Sequence, residues 1–178
     1  MTTPLKAKLR HLGMFVYSLD KMADFYQRWF GLVVTDGGMG PAGQGVFLSA
    51  DPTEHHQLVF VVGREPGSKP TLNQLSFLVE DFATVKAYYH KARAENVTVA
   101  VTKSHGNAIS VYILDPEGNQ IEIYCHTPWY VSQPVSIPMD FDRPDSEILA
   151  QVEKDARADP SFMPREQWVA QMKSRLAQ

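Results

Sequence analysis

The chain has a single cysteine, Cys125, in 178 residues. That leaves no partner for an intrachain disulfide and no thiolate cluster for zinc. Positive charge is not in excess either: 17 Lys and Arg stand against 20 Asp and Glu, for a formal net charge of −3. A phosphate-backbone binder needs a clustered basic surface, so nucleic acid is not an expected partner. No uninterrupted apolar run reaches the roughly 18 residues of a membrane-spanning helix, so no membrane partner is expected. The opening MTTPLKAKLRH lacks the apolar core of a signal peptide, and a cytoplasmic location is the expectation. Apolar residues are well supplied, at 44% of the chain, enough to build a sizeable core. The length suits one domain or two half-domains sharing a core.

An internal repeat organises the first two thirds of the chain. A shift of 63 residues lays His11-Leu12-Gly13-Met14-Phe15-Val16 on Gln74-Leu75-Ser76-Phe77-Leu78-Val79. The same shift lays Leu19 on Phe82 and Phe25-Tyr26 on Tyr88-Tyr89, and one residue of slack lays Asp51-Pro52 on Asp115-Pro116. Each copy opens with a short apolar run that reads as a strand, Leu9–Val16 or Leu72–Val79. A helical segment follows, over Lys21–Phe30 and over Ala83–Ala94. Its apolar residues recur at helical spacing: Met22, Phe25, Tyr26 and Trp29, then Val85, Tyr88, Tyr89 and Ala92. Three short strands complete each copy. In the first they are predicted at Leu32–Asp36, Val46–Ala50 and Gln57–Val62, with a glycine-rich loop over 37–43. In the second they are predicted at Val97–Thr102, Ala108–Leu114 and Gln120–Cys125, with a turn at Asp115-Pro116-Glu117-Gly118. Arg64–Pro70 reads as a linker.

The expected fold is therefore α+β. Two βαβββ modules, 8–63 and 71–127, pair curved sheets around an open cup, within a domain spanning 1–127. The segment 128–178 reads as a Pro-containing linker and a helical tail. Val131–Pro144 should be irregular, and helices are expected over Asp145–Ala158, with Ile148, Leu149 and Val152 as its stripe, and from Pro164-Arg165-Glu166 onward. Trp129 and Tyr130 read as an anchor for this tail in preference to a lid over a substrate.

Strand parity singles out Glu122. It shares a face with Gln120, Tyr124 and His126, opposite Ile121, Ile123 and Cys125. A carboxylate in mid-strand is costly to bury unless it is paired or bound to a cation. His11 and Gln74 are equivalent under the repeat and open corresponding strands. His11, Gln74 and Glu122 would then converge as ligands of a divalent metal, leaving open positions for water or substrate. The bland alternatives are a hydrogen-bonded His11, a Glu122 paired with Lys or Arg, and Gln74 as polar filler. His56 shares parity with Leu58 and Phe60 and reads as a substitute ligand, a base, or a surface turn residue. His55 has the opposite parity, and His90 is expected on a helix surface.

The repeat, the opening His11-Leu12-Gly13 and the run Asp115-Pro116-Glu117-Gly118-Asn119-Gln120-Ile121-Glu122 resemble the vicinal oxygen chelate superfamily. That group includes glyoxalase I, fosfomycin and bleomycin resistance proteins, methylmalonyl-CoA epimerase and extradiol dioxygenases. His105, Val111-Tyr112, Asp115-Pro116, Gly118 and Glu122 match the extradiol motif, with a departure at Lys103. The resemblance implies Glu122 and His11 as metal ligands, His105 as an acid–base group and Tyr112 as a hydrogen-bond donor to substrate. Gln74 stands where these dioxygenases carry their second metal histidine. The fourth glyoxalase ligand position corresponds to about Leu58, which cannot ligate and argues against glyoxalase I activity.

The implied activity is extradiol ring cleavage of a catechol-like vicinal diol by O2. The expected metal is Fe(II), with Mn, Zn, Co or Ni as alternatives, and the expected assembly is a homodimer. Phe15, Phe47, Phe60 and Leu114 are candidates to hold an aromatic substrate ring. Three alternatives stay open: a redox-neutral lyase or epimerase of the same fold, a metal-free small-molecule binder, and a partner-binding role for the tail.

Overall fold

A computed structural model describes residues 7–70 and 72–177. Residues 1–6 of the expected first domain and residue 71, the expected start of the second module, lie outside the described residues. The chain divides into two compact units. One comprises 1–71 and 115–118, the other 72–114 and 119–178.

The first unit carries β1 (Leu12–Val16), α1 (Leu19–Phe30), β2 (Val33–Gly40), β3 (Gly43–Ser49) and β4 (Leu58–Val62). Its sheet has the order β1-β4-β3-β2. Helix α1 buries Leu19, Met22, Ala23, Phe25, Tyr26 and Trp29, the stripe expected from the sequence plus Leu19 and Ala23. Gly31 ends the helix at φ 67°, with its N–H donating to the Gln27 carbonyl, a left-handed cap that glycine adopts without strain. The glycine-rich segment expected as a loop is strand instead. β2 runs to Gly40 and turns through Pro41-Ala42 into β3, with Gly38 opposite Gly45 and Gly40 opposite Gly43. Polar patterning is weak there because β2 is exposed along its whole length, so backbone pairing alone makes the hairpin.

The turn 115–118 belongs to this unit because its acids are buried in it. Glu117 Oε1 accepts the backbone N–H groups of Tyr17 and Ser18 at 2.9 and 2.8 Å, at the start of α1. The negative charge meets the positive end of the helix dipole. Glu117 Oε2 lies 3.5 Å from Arg64 Nη1, the two side chains being 1% and 9% exposed. Arg64, expected to open a linker, is a buried partner instead. Asp115 Oδ2 accepts from the Tyr26 hydroxyl at 3.2 Å. Burial first, and Asp115 next, hold the Tyr26 phenol protonated well above the usual range.

The second unit carries β5 (Leu75–Leu78), α2 (Phe82–Ala94), β6 (Val99–Ser104), β7 (Ala108–Leu114) and β8 (Gln120–His126). The tail adds β9 (Trp129–Tyr130), β10 (Ile137–Pro138), α3 (Asp145–Ala158), β11 (Met163–Pro164) and α4 (Arg165–Leu176). The main sheet has the order β10-β6-β7-β8-β5, and β9 pairs with β11. Asp81 caps α2 by accepting from the Thr84 N–H at 2.8 Å. The α2 side of the sheet is apolar, with Ile109, Val111, Ile113, Ile121, Ile123 and Cys125 all buried.

The repeat is visible in the register. β1 pairs in parallel with β4 through Leu12 and Leu58, and β5 pairs in parallel with β8 through Leu75 and Ile121. The second pair is the first shifted by 63 residues in both strands.

The tail departs from expectation in two places. Val131–Pro144 is not wholly irregular: β10 extends the sheet by pairing with β6. Phe141 from the same stretch is 1% exposed and packs edge-on against Phe82 of α2. In α3 the buried stripe is Ile148, Val152 and Ala156, while Leu149 is exposed. Tyr130 stacks on Trp168 at 5.2 Å, and the Trp129 and Phe162 rings lie 6.5 Å apart. Those ring pairs join the tail's strand and helix.

Candidate functional site

Strands β7 and β8, the entry to β5 and the turn after β6 bring four of the six expected site residues together in the second unit. Ser76 lies opposite Glu122, Tyr112 lies opposite Glu122 on the other side, and Ser110 lies opposite Tyr124. Directly opposed residues share a sheet face, so these side chains rise on the face away from α2.

The Glu122 carboxylate is 8% exposed and accepts four hydrogen bonds from neutral donors. Oε1 takes the Tyr112 hydroxyl at 2.6 Å and the Ser110 hydroxyl at 2.8 Å. Oε2 takes the Ser76 hydroxyl at 2.7 Å and the Gln74 amide Nε2 at 2.7 Å. A carboxylate offers about four lone-pair sites, so this one is saturated. Sequence reasoning missed Ser76 and Ser110. Their signal was present as small hydroxyl residues at the parity of Glu122.

His105 stands in the turn after β6, where Gly106 supplies a φ of 73°. Its Nδ1 lies 2.6 Å from the Val135 carbonyl. A carbonyl only accepts, so Nδ1 carries a proton. Its Nε2 lies 3.0 Å from the Tyr112 hydroxyl and 3.7 Å from Glu122 Oε1. Gln133 Nε2 donates to the His105 carbonyl at 2.8 Å. The Pro-containing tail thus holds the histidine from behind. Burial first, then the hydrogen bond and charge of Glu122, push the Tyr112 phenol well above its ordinary pKa. Tyr112 is a proton donor. The Lys103 ammonium lies 4.3 Å over the Tyr112 ring, so the motif departure places a cation beside this group.

In the first unit His11 and His56 meet, with ring centroids 4.3 Å apart. His55 Nδ1 lies 3.0 Å from His56 Nδ1, and His55 Nε2 lies 2.7 Å from Asp36 Oδ2. In the neutral pair, His55 gives its Nε2 proton to Asp36 and accepts the Nδ1 proton of His56. The Nε2 lone pair of His56 is then free. Desolvation, then the His11 and His55 charges, lower the pKa of His56.

The parity argument for His56 needs correction. Leu58 and Phe60 are buried, and Phe60 packs against Tyr26 at 5.1 Å. They are the repeat equivalents of Ile121 and Ile123 and share the helix-facing side. Val59, not Leu58, is the counterpart of Glu122. His56 lies before β4 and reaches His11 through the loop. Of the residues expected to hold an aromatic ring, Phe60 is core, Phe15 is 63% exposed and Phe47 lies 5.1 Å from the His56 ring. His90 is exposed, as expected.

The donors do not form an open metal site within the second unit. Each carboxylate lone pair of Glu122 meets a protein donor, and Gln74 presents its nitrogen rather than its carbonyl oxygen to the carboxylate. Among the described residues no group of three His, Cys, Asp or Glu side chains is gathered to hold a metal ion. Nor is any helix among them long and apolar enough to cross a membrane.

Two βαβββ modules, with a buried carboxylate in the last strand of the second, define a class of small mixed α+β proteins with an internal repeat. The family model described as the Glyoxalase/Bleomycin resistance protein/Dioxygenase superfamily matches residues 8–123, and the chain belongs to this family. No curated protein matches significantly. Among solved structures, lactoylglutathione lyase from Agrobacterium tumefaciens is 23% identical over 69% of this chain and 96% of its own, with a TM-score of 0.50. The fosfomycin resistance protein FosX from Listeria monocytogenes, in complex with Mn(II) and dihydroxypropylphosphonic acid, is 18% identical over 69% and 93%, with a TM-score of 0.56. TnmS3, an antibiotic-binding protein from Streptomyces, is 21% identical over 70% and 100%, with a TM-score of 0.56. These likenesses concern the fold.

Proposed function

We propose that this chain is a redox-neutral enzyme of its superfamily, of lyase or isomerase type. Its reaction moves a proton on a small molecule with adjacent oxygens. The observation that carries the reading is the Tyr112 hydroxyl, placed 2.6 Å from Glu122 Oε1 and 3.0 Å from His105 Nε2. With His105 protonated, Nε2 donates to the Tyr112 oxygen and Tyr112 donates to Glu122, so every proton has an acceptor. With His105 neutral, the single Tyr112 proton serves two acceptors. The pair is therefore suited to hold a proton at His105 Nε2 and give it back, with the Tyr112 oxygen accepting from the imidazole. Glu122 carries the balancing negative charge, held in place by Ser76, Ser110 and Gln74.

The test is solvent deuterium exchange, followed by proton NMR, into a panel of small α-hydroxy ketones and 2-oxo acids. Exchange that depends on His105 and Tyr112 supports the reading. Exchange unchanged in His105→Ala overturns it.

A second reading, extradiol oxygenation of a catechol by an iron enzyme, is favoured by one observation. The motif residues His105, Tyr112 and Glu122 fall in one hydrogen-bonded chain. Oxygen uptake on catechols after anaerobic Fe(II) loading, lost in Glu122→Ala, would select it over proton transfer.

A further inference from the structure

We infer that Gln133, in the tail, is a positioning residue that keeps the reacting nitrogen of His105 turned toward Tyr112. The inference rests on the proposed function in giving His105 Nε2 the proton transfer. The family model ends at residue 123, so this residue lies in the chain's own extension.

The tail passes the turn between β6 and β7 as a strap fixed at both ends. At one end Val131 is 1% exposed and seated on Gly106. A side chain at 106 would start 2.3 Å from Val131 Cγ2, and φ there is 73°, so glycine is required for the contact. Thr127 Oγ1 donates to the Gly106 carbonyl at 2.7 Å. At the other end Ile137 pairs with Ser104 of β6, and the Met139 N–H donates to the Thr102 carbonyl at 3.0 Å. Between these points the Gln133 side chain is a bridge. Its Nε2 donates to the His105 carbonyl at 2.8 Å, and its Oε1 accepts the Val135 N–H at 3.0 Å. One partner only accepts and the other only donates, so the amide has a single orientation. The Val135 carbonyl in turn accepts the His105 Nδ1 proton at 2.6 Å. The main chain and the imidazole of His105 are thus tied to the same three residues, 133–135.

A neutral imidazole has one N–H, and the Val135 carbonyl claims it for Nδ1. The lone pair is left on Nε2, 3.0 Å from the Tyr112 hydroxyl, where the proposed reaction needs a base. Nε2 then gains a proton without the ring turning, because Nδ1 keeps its partner. Without Gln133 the Val135 carbonyl loses its alignment, and the neutral ring divides between its two tautomers. The Nε2–H form has no lone pair to offer at the site. Gln133 itself is exposed, so replacing it removes no core contact.

The test is Gln133→Ala in the full chain. It is read by long-range nitrogen–proton spectra above the histidine range and by deuterium exchange into substrate. Wild-type His105 is expected to carry its neutral proton on Nδ1, and Gln133→Ala to show a mixture of both forms. The kcat for exchange should fall about tenfold or more in Gln133→Ala, with KM within about twofold. A wild-type ring protonated at Nε2, or an Nδ1–H form unchanged in Gln133→Ala, overturns the inference. The first of these readings uses the unmodified protein, so it stands whether or not the variant folds. Exchange lost in His105→Ala but unchanged in Gln133→Ala overturns the inference alone. The expected tautomers with no exchange in any protein overturn the proposed function alone.

Discussion

The Tyr112 hydroxyl, 2.6 Å from Glu122 Oε1, is the one donor to that carboxylate that also touches an imidazole. The other three donors only hold the charge. This separates the residues that position Glu122 from the pair that can exchange a proton.

Replacing Glu122 with Gln puts an NH2 where donors already converge. At least one pair of donors must then face each other. Glu122→Gln is expected to cost about 1–3 kcal/mol of unfolding free energy, and Ser76→Ala, at an exposed position, about 0.5–1. Urea unfolding followed by circular dichroism measures both, and a smaller loss in Glu122→Gln than in Ser76→Ala would sink the four-donor account.

Tyr112 and Tyr26 have phenol pKa values raised by burial. Below an unfolded-state pKa of about 10 both states hold these protons, and stability is unaffected. Above it the unfolded chain ionises first, so stability falls as pH rises from about 10 toward the folded values. Tyr112→Phe should flatten this alkaline loss. An identical slope above pH 10 in the variant would contradict it.

Glu117 and Glu122 are both buried acids, but their partners differ. Glu117 meets Arg64 and two backbone N–H groups at the start of α1. Glu117→Ala takes the carboxylate away from a buried guanidinium and from two backbone N–H groups, and should cost about 3–5 kcal/mol. Asp24→Ala breaks the exposed pair with Arg28 and should cost less than about 0.5 kcal/mol. Thermal melts of the two variants should differ widely; similar melting temperatures would refute the ranking.

At a pH above the histidine range, His56 should carry its ring proton on Nδ1, because His55 spends its own on Asp36. Long-range nitrogen–proton spectra distinguish the tautomers. Asp36→Ala should release His56 to the Nε2–H form. A wild-type ring already protonated at Nε2 would rule out the relay.

Cys125 is buried, and burial pushes its thiol up to about 11. Thiol reagents should label it slowly in the native protein and quickly in denaturant. Fast native labelling would mean that β8 opens toward α2.

Local pattern determined much of this protein. The 63-residue repeat, the two helix stripes and the alternation along Gln120–His126 are near-neighbour properties, legible because strands alternate every two residues and helices every 3.6. The same alternation singled out Glu122, while Gln74 followed from the repeat and Tyr112 from the family resemblance. It misled at His56, because parity holds only inside a strand and that residue precedes β4. It also misjudged the glycine hairpin of β2 and β3, where backbone pairing needs no side-chain pattern.

What only the tertiary structure decided are the contacts between residues far apart in sequence. Arg64 finds Glu117 across 53 residues, and His105 finds the Val135 carbonyl across 30. Four hydroxyl and amide groups from the two strands flanking β8 saturate one carboxylate. Those partners are set by where the chain returns in space, and a buried charge accepts whichever donors the packed sheet brings within hydrogen-bond distance.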